Sequence, residues 1–157
     1  MKRLIHSTLA LLIFTSGIYA EDEHAHDKVI PGPKGGRIVE VQSGHTEFFV
    51  QPDKKVSITF YDKDMKVVSA GEQVVTAIAE APTGKTKLEF EESGDSLVST
   101  EPLPEGDGYR IVLQVKVNAE AKPQNLRIEY HTEVCGKCNR AEYACICESK
   151  GEGEHGH

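Results

Sequence analysis

Hydrophobic and polar residues alternate along most of this chain in short runs, which is the pattern of β-strands that bury one face. The clearest run, YRIVLQVKV, places on one face Ile111, Leu113, Val115 and Val117. The run KVSITFYD repeats the alternation, and turn-forming segments such as QSG, DKDMK and APTGK separate the runs. This spacing predicts eight or nine short strands, with no helical period after the first 20 residues.

Short strands at regular spacing predict an all-β fold, an antiparallel immunoglobulin-like β-sandwich with a Cys-rich C-terminal extension. The chain has no tryptophan, and all four cysteines lie near the C-terminus, so no disulfide can link the two expected sheets. Burial of Val, Ile, Leu and Phe must therefore hold the core, which a chain of this size can achieve.

The N-terminal segment MKRLIHSTLALLIFTSGIYA has the layout of a secretory signal peptide. Lys2 and Arg3 form a basic start, an apolar stretch follows, and Ala20 offers a small residue for cleavage. Polar residues interrupt the apolar stretch, which a membrane anchor of roughly 20 apolar residues would not tolerate. We expect cleavage near Ala20 and a periplasmic or secreted protein without stable membrane insertion.

The expected organisation has five parts. A signal peptide covers 1–20, a flexible His-containing lead-in 21–36, a β-sandwich 37–132, a four-cysteine cluster 133–148 and a flexible His-containing tail 149–157. The formal charge of the whole chain is −7, and loss of the signal peptide makes it more negative. An acidic protein lacks the clustered Lys and Arg that nucleic acids require, so we expect no nucleic-acid partner.

The segment GPKGGRIVEVQSGHTEFFVQPDKKVSITFYDKDMKVV combines a GP-x-GG lead-in, a strand, a His-x-Glu pair and a strand that ends in an acidic turn. It resembles a segment near the start of periplasmic adaptor subunits of heavy-metal efflux pumps, and small periplasmic proteins related to them. The resemblance covers about a quarter of the chain. It implies a periplasmic sandwich associated with metal handling, with a possible efflux or uptake component as partner. This chain lacks the adaptors' long helical hairpin and barrel domain, so it cannot bridge a pump to an outer-membrane channel.

All four cysteines fall within CGKCNRAEYACIC, at positions Cys135, Cys138, Cys145 and Cys147. Four thiolates can surround one metal ion, and Zn(II) and Cu(I) are the soft-ligand candidates. We expect the C-x-C pair to need a kinked backbone for both of its sulfurs to bind one ion.

Two other states of these cysteines stay open. In an exported protein an even number of cysteines favours disulfides, with cross-pairing between the two halves preferred over a strained C-x-C ring. A thiol oxidoreductase would need a thioredoxin-like βαβ context, of which the sequence shows no sign.

Histidines supply secondary metal candidates. His-x-His pairs flank the predicted domain near both ends, and one further histidine lies close to the cysteines: His24, His26, His131, His155 and His157. His45 and Glu47 share a face of one strand; they can hold a metal or a partner, although a solvent-facing polar pair is the simpler interpretation. Tyr143 is expected to pack the cysteine segment against the domain, and DKDMK to form a turn.

No residue set predicts catalysis, so we expect a binding protein and not an enzyme. The sequence favours an exported transition-metal-binding protein, for Zn(II) or Cu(I), in metal homeostasis or efflux. The alternative is a non-catalytic interaction or structural module of the cell envelope whose four cysteines form disulfides.

Overall fold

Nine antiparallel strands form the body of the protein in a computed structural model, which describes residues 30–147. In chain order they are β1 Arg37–Val41, β2 Gly44–Val50, β3 Val56–Tyr61, β4 Val67–Val68, β5 Val74–Ala81, β6 Gly84–Ser93, β7 Ser96–Ser99, β8 Tyr109–Lys116 and β9 Gln124–Tyr130. The helical structure in this range is one 3₁₀ turn, η1, at Glu142–Ala144. The all-β prediction is confirmed. No helix among residues 30–147 has the length and hydrophobicity to span a bilayer.

The strands form one sheet in the order β1-β2-β3-β7-β6-β5-β8-β9, with β4 paired to β3. The long strand β6 joins the two halves, because its first part pairs with β5 and its last part with β7. The sheet curls until it is nearly closed into a barrel. Two separate immunoglobulin-like sheets are therefore not confirmed; one continuous, bent sheet takes their place.

The alternating residues of the central strands fill the barrel interior. On β5 and β8 every second residue is buried, as the sequence pattern predicts. The largest fully buried hydrophobic side chains are Phe48, Phe60, Ile58, Leu88, Ile111, Leu113 and Ile128. Strand β3 departs from the pattern, since all six of its residues are buried. Something must therefore cover its outer face as well.

The outer face of β2 and β3 is covered by residues 30–36, which we call the lead-in turn. The Glu47 side chain is 0% exposed beneath it. Its Oε1 accepts hydrogen bonds from the backbone amides of Lys34 (2.9 Å) and Gly36 (2.8 Å), and its Oε2 accepts one from the Tyr61 hydroxyl (2.6 Å). Burial, followed by the contact with Glu47, raises the pKa of Tyr61, so the phenol stays a proton donor.

The expectation that His45 and Glu47 form a solvent-facing pair is wrong for Glu47. The two side chains share a face, but that face lies under the lead-in turn, and His45 is half-buried with Nδ1 3.3 Å from the Asp62 carbonyl oxygen. The lead-in turn is the described part of the predicted lead-in 21–36, and it contains no strand. It is nevertheless tied down, because Lys34 Nζ also donates to Ser96 Oγ at 2.8 Å.

Two glycines of the GPKGG motif make this arrangement possible. A Cβ at Gly32 would overlap the Glu47 carboxylate, and a Cβ at Gly36 would overlap the carbonyl oxygen of Phe48. Only glycine allows the turn to approach β2 closely enough for its amides to reach the buried carboxylate. The motif therefore has a structural role in this chain.

The two outer strands of the path, β1 and β9, face each other across an incomplete seam. At one end the Gln124 side chain spans it: Nε2 donates to the Glu40 carbonyl oxygen (2.9 Å), and Oε1 accepts from the Gln42 amide (3.1 Å). At the other end the chain that follows β9 folds back over the seam, and η1 contacts both β9 and β1. That segment carries the cysteines.

We expect Glu47→Ala to lower the free energy of unfolding by about 3 kcal/mol or more, because two amides and one hydroxyl would lose their buried acceptor. The matched control is Glu40→Ala, an exposed glutamate on neighbouring β1, which should cost less than about 0.5 kcal/mol. Urea denaturation followed by circular dichroism measures both. Equal losses in the two variants would contradict a stabilising role for the buried carboxylate.

Candidate metal centre

The segment 133–147, here called the cysteine knuckle, begins at a fixed point after β9. Asp107, in the loop before β8, accepts hydrogen bonds on Oδ1 from the Thr132 amide (2.5 Å) and the Thr132 hydroxyl (2.7 Å). Its Oδ2 lies 3.4 Å from His131 Nδ1. The Thr132 amide and hydroxyl, with a smaller contribution from His131, hold the pKa of Asp107 below its ordinary value. The carboxylate therefore anchors the start of the knuckle.

A tight turn presents the first cysteine pair. The Cys135 amide donates to the Arg140 carbonyl oxygen at 2.7 Å, and the Asn139 amide donates to the Cys135 carbonyl oxygen at 2.9 Å. Asn139 adopts a left-handed conformation with φ 56°, which asparagine tolerates better than most residues. This turn bends the backbone so that Cys135 and Cys138 point toward the same centre.

The second pair follows η1. The amides of Ala144 and Cys145 donate to the carbonyl oxygens of Ala141 and Glu142, which closes the 3₁₀ turn, and the chain becomes extended at Cys145. The chain therefore changes direction directly before the C-x-C segment. Cys145 and Cys147 thus reach the same centre as the first pair.

The four Sγ atoms all lie within 4.8 Å of one another. Cys135 Sγ is 3.8 Å from Cys147 Sγ, and Cys138 Sγ is 3.7 Å from Cys145 Sγ. Sulfurs at the corners of a tetrahedron with Zn–S bonds of about 2.3 Å are separated by roughly 3.8 Å. No disulfide links these cysteines. The sulfur arrangement has the dimensions of a tetrahedral metal site.

The thiols differ in acidity. Backbone amides, that of Ile146 first and that of Arg140 next, lower the pKa of Cys138 to about 6. Desolvation raises the pKa of Cys145 to about 12 and also raises the pKa of Cys147. Four sulfurs this close cannot all carry a negative charge without a cation between them. The protein alone therefore favours the thiolate of Cys138, whereas a bound cation would be needed to ionise Cys145 and Cys147.

Tyr143 attaches the knuckle to the barrel, which confirms its predicted packing role. The side chain is buried, and its ring lies 5.8 Å from that of Phe48 in an edge-on arrangement and 5.7 Å from that of Tyr130. Its hydroxyl accepts a hydrogen bond from the Val50 amide at 3.0 Å. Ala144 beside it is also buried. Sequence patterns identify such an aromatic residue but do not reveal which amide it satisfies.

The structure brings together the four predicted cysteine ligands and leaves the other candidates apart. Among the His, Cys, Asp and Glu residues of the described range 30–147, the four cysteines form the group whose ligand atoms all lie within 4.8 Å of one another. His131 is not part of this group. His24, His26, His155 and His157 lie outside the described residues. The DKDMK segment is the predicted turn, since Asp62 Oδ1 accepts hydrogen bonds from the amides of Asp64 and Lys66.

Two contacts were not foreseen from the sequence, one directly before the knuckle and one within it. Asp107 anchors Thr132, and Arg140 Nη1 approaches the Gly32 carbonyl oxygen of the lead-in turn at 3.5 Å. Both contacts join residues that are far apart in sequence. The residues next to Asp107 in the sequence do not indicate that its partner is Thr132.

Comparisons with known proteins returned no matching family model, no matching curated protein and no matching solved structure. Function must therefore be argued from the site.

Acidification should remove the stabilising effect of Asp107. A carboxyl group whose pKa is lowered by folding stabilises the fold above its ordinary pKa of 3.8 and ceases to do so as the pH falls through the lower folded value. We expect the metal-free, reduced protein to unfold at a higher urea concentration than Asp107→Asn at about pH 7, and this gap to shrink toward about pH 3. A gap independent of pH would contradict the assignment.

Proposed function

We propose that this protein is an exported metal-binding protein that holds one Zn(II) ion through Cys135, Cys138, Cys145 and Cys147. The observation that carries the proposal is the convergence of four sulfurs at the spacing of a tetrahedral zinc site. The sulfurs come from two backbone turns, each held by its own hydrogen bonds.

Zn(II) is favoured over Cu(I) by geometry. Four thiolates in a tetrahedron are typical of zinc and iron, whereas the softness of thiolates alone would suit Cu(I) equally well. A divalent ion also offsets more of the negative charge that accumulates when the thiols ionise. Cu(I) remains the second metal to test, since the sequence admits both.

The site is of the closed kind. With four protein ligands no coordination position is left for water or substrate, which separates structural and storage sites from catalytic ones. This supports binding without turnover. The two sulfurs that follow η1 are only partly buried, so an exchange partner could still reach the ion.

Export and a role in metal homeostasis or efflux rest on the sequence. The N-terminal segment has the layout of a signal peptide, and the GPKGG-containing segment resembles one found in periplasmic efflux adaptors. The acidic composition, with a formal charge of −7, agrees with a partner that handles cations and not nucleic acid.

The purified protein should bind one equivalent of Zn(II), measured by elemental analysis and by titration against a chromophoric chelator. Cys138→Ser should weaken binding by roughly 100-fold or more, because about a quarter of a binding free energy of 10–16 kcal/mol is lost. His131→Ala is the control, since His131 lies beside the knuckle but outside the cluster, and its affinity should equal that of the wild type. Absence of stoichiometric metal, or equal losses in both variants, would refute the site.

Protein taken from the envelope fraction of its native cells should begin after Ala20 and carry metal with four thiols free once the metal is chelated. Intact mass, before and after thiol alkylation in denaturant, measures both properties. An uncleaved N-terminus would contradict export. Two disulfides in freshly isolated protein would instead support the alternative of an envelope module locked by its cysteines.

A further inference from the structure

The pairing of β1 with β2 stops short of the end of β2. The first residue of β1, Arg37, pairs with Phe48, so Val50 lies two residues beyond the ladder. The Val50 amide points to the side where β1 would continue, and it donates its hydrogen bond to the Tyr143 hydroxyl at 3.0 Å. A residue of the knuckle thus replaces a missing strand partner at the seam.

Tyr143 belongs to the loop between Cys138 and Cys145, whose two ends a bound metal ion would join. Cys138 and Cys145 bracket residues 139–144, and an ion bound to both sulfurs joins the two ends of this loop. The loop is tied to β9's continuation by the Glu142 amide, which donates to the Glu133 carbonyl oxygen at 2.8 Å, and by a bridge between Val134 and Ala141. Closing the loop restricts the conformations in which Tyr143 can leave the core.

We propose that Tyr143 is a positioning residue that couples metal binding to closure of the barrel seam. This inference rests on the proposed metal site. The ion holds the loop so that Tyr143 fills the space between Phe48 and Tyr130, and the seated tyrosine holds Cys145 beside Cys138.

Such coupling is reciprocal. If the metal strengthens the contact between Tyr143 and Val50 by some factor, the same contact must strengthen metal binding by that factor. The protein would then bind metal most tightly when the seam is closed, and loss of metal would loosen the end of β2 first.

The chain offers a matched pair of variants. The hydroxyls of Tyr143 and Tyr109 each make one hydrogen bond to the backbone, with the Val50 amide and the Pro104 carbonyl oxygen respectively, and both rings pack on Tyr130. Phe at either position keeps the ring and deletes one hydrogen bond, so both variants should fold.

We expect Tyr143→Phe to weaken Zn(II) binding by about 3- to 10-fold, the effect of one hydrogen bond, as measured by competition with a chromophoric chelator. Tyr109→Phe should bind Zn(II) within about twofold of the wild type, although it loses a comparable bond. Equal weakening in both variants would show a general effect of stability and overturn the positioning role. Unchanged affinity in Tyr143→Phe would overturn it as well.

Amide exchange provides the reciprocal measurement. The Val50 amide donates to Tyr143, whereas the amide of Val56, its cross-strand partner, donates to the hydroxyl of Ser99 at 2.9 Å. Followed by NMR, Zn(II) should slow exchange at Val50 more than at Val56, by a factor that matches the affinity lost in Tyr143→Phe. Equal slowing at both amides would mean that the metal stabilises the whole barrel and not the seam.

The two proposals fail in different ways. If the wild type takes up no stoichiometric Zn(II), the metal site itself is refuted. If it binds one Zn(II) while exchange at Val50 is indifferent to the ion, the site stands and the coupling is refuted.

Discussion

When a sheet curls almost into a barrel but its two edge strands do not pair, backbone groups along the seam between those strands lack partners. The rest of this structure depends on how that seam is closed. β1 and β9 do not pair with each other. The Gln124 side chain bridges one end through two hydrogen bonds, and Tyr143 of the cysteine knuckle fills the other. Buried or partly buried amides without acceptors are costly, so each end needs such a substitute. The cysteine segment is therefore part of the fold and not an appendage to it.

The lead-in turn solves a related problem on the outer face of the sheet. Glu47 would be expensive to bury alone, yet three donors converge on it, two of them amides that glycines at positions 32 and 36 allow to approach. The same turn contacts Arg140 of the knuckle through the Gly32 carbonyl oxygen. The glycines of the GPKGG motif are thus accounted for by a buried carboxylate.

Local sequence patterns predict the strands of this protein but not the contacts between segments that are distant in sequence. Alternation in YRIVLQVKV and KVSITFYD identifies strands, because burial of one face leaves a period of two. The same argument fails for β3, where the polar positions Ser57 and Thr59 are also buried, and for Glu47, two of whose three donors come from the lead-in turn. Barrel closure is also invisible locally, since it depends on β6 dividing its pairing between β5 and β7. The cysteines could be recognised as a set, but their convergence depends on backbone turns that spacing alone does not determine.

In the oxidising compartment that we propose for this protein, metal binding and disulfide formation would compete for the same four thiols. Sulfurs 3.7–3.8 Å apart are too far apart for a disulfide, and they must approach to about 2.05 Å for one to form. A metal ion satisfies all four at their present positions and occupies the thiolate electron pairs through which oxidation begins. The order of events after synthesis would then decide the state of the site, because metal bound first would protect the thiolates and oxidation first would remove them as ligands.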